Sequence, residues 1–241
     1  MKFSATILSA ALLTTSAIAA PLTERRAARH AARAAGRAGR ISRPASKQNT
    51  LELVNLNETS HAQYSSNWAG AVLIGTGYTS VTGEFTVPKP KVPSGASSYE
   101  QSCASAWVGI DGDTCSSAIL QTGIDFCIQG GKVSYDAWYE CSGSAVIDNV
   151  TTGKSVTHKF SGVDDGDLCE TNAEWIVEDF ESGGQLVPFT NFGTVTFTNA
   201  EATSGGKSVG PSGATLFEIR QSKNVLTKSS VTGNSVTVSY V

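Results

Sequence analysis

The sequence predicts an all-β fold over residues 63–241, an antiparallel β-sandwich of two large sheets. Three observations predict it. Threonine alternates with apolar residues in Thr194-Val195-Thr196-Phe197-Thr198 and again within Val231–Val241, the period of strands with one wet face. Glycine and asparagine punctuate these runs as turns. No run of apolar residues at helical spacing occurs in this part of the chain.

From the amino end, Lys2 supplies a short basic region, Ile7–Ile18 an apolar stretch and Ala17-Ile18-Ala19 a small-x-small cleavage site. They predict a signal peptide over residues 1–19 and a secreted, extracellular protein. The apolar stretch is too short and polar to span a bilayer and no later segment has the length, so no membrane partner is expected. Residues 20–62 differ in composition: seven arginines and Lys47 face only Glu24, Glu52 and Glu58. This Ala/Arg run has helical propensity but no apolar face. From Gln63 onward there are 9 Lys+Arg against 18 Asp+Glu, a net charge of −9 that the whole-chain value of −3 conceals. A basic arm on an acidic body reads either as a disordered tail or as a propeptide. Its position behind a signal peptide favours a propeptide, paired with the body near neutral pH and released when carboxylates protonate.

Residues 63–241 fit one domain with a sizeable core. Val87–Glu100, with Pro88, Pro90, Pro93 and a Ser/Gly run, predicts an exposed loop open to processing, which would give a two-chain protein. Five cysteines at 103, 115, 127, 141 and 169 predict disulfides with one cysteine left over. Asn149-Val150-Thr151 is a glycosylation sequon in the body, and Asn57-Glu58-Thr59 is one in the arm.

Composition excludes several chemistries. The body has a single histidine, His158, on which any Ser-His-Asp or Cys-His site would depend. Gly206-Lys207-Ser208-Val209-Gly210 matches a nucleophile-elbow pattern formally, but it lies in a polar loop and reads as a turn. One histidine and five oxidisable cysteines argue against zinc. Asp164-Asp165-Gly166-Asp167 lacks the ligand spacing of a calcium loop and reads as a solvated turn. No phosphate loop or basic-aromatic stripe occurs, and the acidic body disfavours nucleic acid.

Carboxylates and amides remain. Asp136, Trp138 and Glu140 share one face of a strand by the period of two, as do Glu174, Ile176 and Glu178, and Ile119 with Gln121. Charges alternating with tryptophan fit a groove for a chain-like substrate or, equally, a solvent-facing strand. For Gln121, spacing alone favours a satisfied buried amide.

Several words occur together: Tyr64–Leu73 (YSSNWAGAVL), SAWVGIDGDTC, AILQTG, YDAWYE, TNAEWIVEDFES and the end Val236–Val241. In this combination residues 63–241 resemble the glutamic peptidases of filamentous fungi, the eqolisin family, over nearly their whole length. The resemblance implies two seven-stranded antiparallel sheets and endopeptidase activity on proteins or peptides at acid pH. It implies a monomer needing no metal or cofactor, with its own propeptide as a partner. It makes Gln121 and Glu178, not Glu174, the catalytic residues. Trp107 would line the substrate cleft, with Asp111, Asp125, Asp136, Trp138 and Glu140 around it. Glu178 would activate water and Gln121 would stabilise the oxyanion.

The resemblance also implies the disulfides Cys115–Cys169 and Cys103–Cys127, leaving Cys141 unpaired. Here the sequence departs from the family. Relatives carry a loop and about two further strands after the Y-D-A-W-Y-E word, whereas Glu140 is followed almost at once by Asn149-Val150-Thr151-Thr152-Gly153. A sandwich missing about two strands is therefore expected. Two other readings stand beside the acid endopeptidase: a carbohydrate-binding or glycoside-cleaving sandwich using Glu140 with Glu178 or Glu174, and a peptidase homologue impaired by the missing strands.

Overall fold

Eighteen strands carry the chain in the computed structural model, which describes residues 40–48, 62–115, 117–140, 143–159 and 167–241. The expected signal peptide, the rest of the arm, Cys141 and Asp164-Asp165 lie outside the described residues. In order the strands are β1 (Arg40–Ile41), β2 (Gln63–Ser65), β3 (Trp68–Ile74), β4 (Tyr78–Glu84), β5 (Ser102–Ile110) and β6 (Leu120–Gln129). Then follow β7 (Lys132–Glu140), β8 (Ser144–Asn149), β9 (Lys154–Lys159), β10 (Asn172–Glu178), β11 (Glu181–Ser182) and β12 (Gln185–Leu186). The last are β13 (Thr194–Ser204), β14 (Lys207–Val209), β15 (Thr215–Gln221), β16 (Asn224–Val225), β17 (Thr227–Thr232) and β18 (Ser235–Tyr240).

The larger sheet has eight strands in the order β16-β15-β3-β10-β5-β6-β7, with β2 alongside β15. The smaller has five, β14-β13-β18-β17, with β4 on β13. The pairings are antiparallel except β2 with β15. The two large sheets thus hold eight and five strands among the described residues, where the resemblance implied seven and seven, and β1, β11 and β12 form a separate three-stranded sheet. β8 and β9 stand apart as a two-stranded hairpin, because the chain turns back onto itself soon after the shortened junction at Glu140. Asn149 lies exposed at that hairpin's tip, and His158 stacks on Tyr139 with ring centroids 4.2 Å apart. No helix among the described residues is long and apolar enough to cross a membrane.

Strand β10 shows why the sequence folds this way. All seven residues are buried, so it runs through the sheet's centre between β3 and β5. Ala173, Trp175 and Val177 face the space between the sheets, meeting Phe126, Phe197, Val195 and Val236 in the main core. Burying a side chain as large as Trp175 is worth several kcal/mol, and Trp175→Ala would cost about 3–5 kcal/mol. Glu174, Ile176 and Glu178 face the other way, where Trp68, Val72, Trp107, Trp138 and Phe217 form a second cluster. Gly70 is demanded at its position on β3: its φ is +144° and a Cβ there would lie 2.0 Å from the Trp175 carbonyl oxygen.

Two disulfides brace this sheet. Cys103–Cys127 joins the paired strands β5 and β6, and Cys115–Cys169 ties the loop after β5 to the chain entering β10. Val87–Glu100 forms a loop without regular strands, with Tyr99 85% exposed, as the prolines predicted.

Candidate active site

Register places the site residues on one face. Glu178 of β10 lies opposite Ser105 of β5, Ser105 opposite Asp125 of β6, and Asp125 opposite Asp136 of β7. Two residues along, Trp107, Gly123 and Trp138 are in line, and two further Gly109, Gln121 and Glu140. Directly opposed residues point to the same side of a sheet, so one face carries Glu178, Trp107, Asp125, Gln121, Asp136, Trp138 and Glu140. The glycines opposite Trp107 and Gln121 give those large side chains room: a Cβ on Gly123 would meet the Trp107 Cβ at 2.5 Å, and one on Gly109 the Gln121 Cβ at 3.2 Å.

Glu178 is fully buried. Its Oε2 accepts from Trp107 Nε1–H at 2.9 Å. Gln121 Nε2 donates to Glu140 Oε2 at 2.8 Å, and its Oε1 faces the Ser42 hydroxyl. Trp138 Nε1–H donates to Ser105 Oγ at 3.1 Å and so fixes that ring over the face.

The arm passes directly over this pair. Ser42 Oγ donates to Glu178 Oε2 at 2.5 Å and lies 3.3 Å from Gln121 Oε1, one hydroxyl bridging the two side chains. The Arg43 N–H donates to Glu178 Oε1 at 3.2 Å. Asn67 Nδ2 donates to the Arg43 and Pro44 carbonyls, and its Oδ1 accepts from Ser46 N–H at 2.9 Å. Arg40 Nε donates to both oxygens of Asp125 and Nη1 to Glu140 Oε1 at 3.0 Å. Arg43 pairs with Glu181 and Lys47 with Asp113. The basic composition of the arm and the acidity of the body are therefore matched residue by residue along residues 40–48.

The structure brings the expected Gln121, Glu178, Trp107, Asp125, Asp136, Trp138 and Glu140 onto one face and adds Ser42, Arg43 and Asn67, which sequence reasoning did not place there. A serine in a polar arm and an asparagine before a tryptophan carry no signal of their own. Nor did sequence reasoning anticipate Asp179, fully buried beside Glu178 and hydrogen-bonded by Gln221 Nε2 at 2.6 Å. One expected residue stands elsewhere: the Asp111 carboxyl accepts from the N–H groups of Glu170, Thr171 and Asn172, bracing the chain before β10. Its neighbours Cys115 and Cys169 are joined to each other and offer no thiolate to a metal.

Burial pushes the Glu178 carboxyl up to about 7, against the pull of the Arg40 charge and the Ser42 and Arg43 hydrogen bonds, with Glu140 pushing it further. Asp179 is pushed up to about 8 by burial, despite the Gln221 bond, and by the Glu178 charge. Asp125 is raised by burial, with Arg40 and Ser105 opposing and Asp136 adding to the rise. Glu174, four residues before Glu178 on the same face, is raised well above the usual carboxylate range: it is fully buried, and the Asp113 and Asp111 charges add to that burial.

A model of the Peptidase A4 family matches residues 66–142 and 140–240. The two stretches meet at the junction after Glu140, where the sequence departs from the resemblance. Aspergillopepsin-2 of Aspergillus niger is 55% identical over 284 aligned positions that cover all of both chains. Since this chain has 241 residues, 284 − 241 leaves 43 positions with no residue here. Scytalidopepsin B of Scytalidium lignicola is 38% identical over 281 positions, again all of both chains. Among solved structures, SCP-B of the eqolisin family of peptidases, in complex with the tripeptide Ala-Ile-His, aligns with a TM-score of 0.65 and 40% identity. That alignment covers 73% of this chain and 98% of the other.

Proposed function

The chain belongs to the Peptidase A4 family, the eqolisins, and is a glutamic peptidase, a hydrolase of peptide bonds; on that premise we propose that Glu178 and Gln121 perform the hydrolysis and that residues 20–62 are a propeptide whose residues 40–43 occupy the site until acid releases them. The observation that carries this reading is the Ser42 hydroxyl. A single oxygen bonded to Glu178 and within 3.3 Å of Gln121 marks a water-sized position between a base and an amide.

In catalysis a water takes that position. With the arm gone, water reaches Glu178 and relieves the burial that raises its carboxyl, and the ionised form removes the water's proton as the oxygen attacks the scissile carbonyl. Gln121 Nε2 carries two hydrogens; Glu140 holds one, and the other donates to the developing oxyanion. An amide stays a donor at any pH, which suits a site working in acid. Glu178 then passes its proton to the leaving amine, and Trp107 holds the carboxyl in place throughout. Asp125, Asp136, Trp138 and Glu140 line the cleft on the Gln121 side, and a peptide backbone lies where the arm lies. The glycoside-cleaving reading draws no support from the relatives.

The arm is substrate-like yet inhibitory. Its Arg43 N–H meets the base as a leaving nitrogen would, but Ser42 fills the place of the water. The Arg40 cation lowers the pKa of Asp125 and Glu178, so its pairing is strongest with those carboxylates ionised and weakens as pH falls. The chain is then a secreted zymogen activated outside the cell by acid.

The test is cleavage of denatured haemoglobin or casein by the full chain after acid incubation, for the unchanged protein and Glu178→Gln. Proteolysis by the unchanged chain and none by the variant is expected. Undiminished cleavage by the variant would remove Glu178 from the mechanism, and the intact mass after incubation reports loss of the arm.

A further inference from the structure

We propose that Asn149 carries an N-linked oligosaccharide whose first sugars lie over Ile147 and Val156, covering the open face of the β8–β9 hairpin. Attachment requires secretion of the chain but not the Glu178–Gln121 chemistry. Strands β8 and β9 pair only with each other among the described residues. A two-stranded hairpin by itself is marginally stable in water. At its inner end Ala145 lies opposite His158; Ala145 is buried, and the His158 ring stacks on Tyr139. Farther out on the same face come Ile147 opposite Val156, and then Asn149 opposite Lys154. Packing gives out along this row, for Ala145 is 5% exposed and Val156 59%.

Asn149 is placed to close that row. Asn149-Val150-Thr151 has the asparagine and the hydroxyl two residues on that the transfer needs. All three residues are exposed at the tip between the strands, so nothing described obstructs them. The turn closes through the Thr152 and Gly153 N–H groups, which donate to the Asn149 carbonyl at 3.1 and 2.7 Å. The Thr152 N–H also reaches Asn149 Oδ1 at 3.0 Å. These bonds use the two oxygens of Asn149 and leave Nδ2 for the sugar, so turn and glycan coexist. Ile147 stands two residues back on the same side, about 7 Å away, within reach of the first sugar rings. The C–H faces of those rings pack on apolar side chains, and their hydroxyls face water.

The donor is an oligosaccharide joined through its first anomeric carbon to a lipid diphosphate. The bond from that carbon to the diphosphate oxygen breaks, and a bond from the carbon to Asn149 Nδ2 forms. One Nδ2 proton is lost, and the lipid diphosphate leaves. No oxidant or metal of this chain takes part.

The full chain, with its own amino end, is expressed in a secreting yeast and collected from medium and cells together. The peptide containing residue 149 is mapped by mass spectrometry; Asn57 falls on a different peptide. Sugar mass on the Asn149 peptide is expected, and peptide N-glycosidase removes it, leaving an aspartate. Thr151→Ala abolishes the sugar and Thr151→Ser keeps it. Unmodified Asn149 in every fraction overturns the proposal. Covering is read by hydrogen exchange over residues 144–159 before and after the glycosidase. Stripping speeds that exchange by about fivefold or more, and leaves it unchanged in Val156→Ser, where there is no apolar side chain to cover. Exchange unaltered by stripping the unsubstituted chain would overturn the cover.

Discussion

Glu174 and Glu178 sit on the same strand, on the same face, both fully buried, and their surroundings make them opposites. Glu178 receives an indole N–H, a hydroxyl and a backbone N–H, with the Arg40 guanidinium 3.9 Å away. Both oxygens of Glu174 are buried without a well-formed hydrogen bond among the described residues, the Asp113 backbone N–H being the one donor favouring its charge, and the carboxylates Asp113 and Asp111 push against that charge. One end of the strand holds a carboxyl raised to about 7; the other holds one raised well above the usual carboxylate range. Burial alone does not make a carboxyl catalytic. What separates the two is the supply of donors aimed at the charged form.

The largest expected effect breaks that contrast directly. Glu178→Gln removes the base and lowers kcat/KM by about 10³-fold or more, whereas Glu174→Gln stays within about threefold, measured on one peptide in acid. Comparable losses in the two variants would show that the contrast has no catalytic meaning. Next, Gln121→Ala takes away the oxyanion donor and costs about 10²–10³-fold in kcat with a smaller change in KM. A loss seen only in KM would make Gln121 a binding group.

A smaller effect concerns the arm. Arg40→Gln breaks bonds to two carboxylates and loosens the arm by roughly 10–100-fold, so activity in the full chain begins at higher pH than in the unchanged protein. Ser42→Ala opens the water position, and the arm is then cut between residues 42 and 43, read by mass spectrometry. An arm that stays whole in that variant would separate the hydroxyl from the protection.

The smallest effect is on stability. Glu178 and Asp179 stand at about 7 and about 8, and Glu174 is also raised. A carboxyl whose pKa is higher folded than unfolded binds its proton more tightly in the fold. Its contribution is fully present below about 4, the unfolded value, and is lost as pH rises through 7 and 8. The melting temperature should therefore be highest in acid and fall toward pH 8, by on the order of a few kcal/mol in stability. Glu174→Gln and Asp179→Asn should each flatten that fall. A melting temperature that rises toward neutrality would contradict the sign.

Much of this was legible because strand patterning is local. The period of two put Asp136, Trp138 and Glu140 on one face and Glu174, Ile176 and Glu178 on another, and both assignments stand in the register. Periodicity could not join the two faces into one, because that depends on β5 lying between β10 and β6. It could not separate Asp111 from the rest, since a carboxyl that braces three backbone N–H groups looks in sequence like one that lines a cleft. The unequal sheets also went unread, for strand order is fixed by pairings between distant segments.

The sequence by itself determined the all-β class, the opposition of a basic arm to an acidic body, and the residue types capable of acid hydrolysis without histidine. Each follows from composition or from neighbours along the chain. Only the tertiary structure decided which of two glutamates on one strand carries stabilising donors, and which serine of the arm lies against it. The physical reason is that a carboxyl's charge is governed by atoms within a few ångströms, and those atoms come from residues 40–43, Trp107 and Glu140, far apart in sequence.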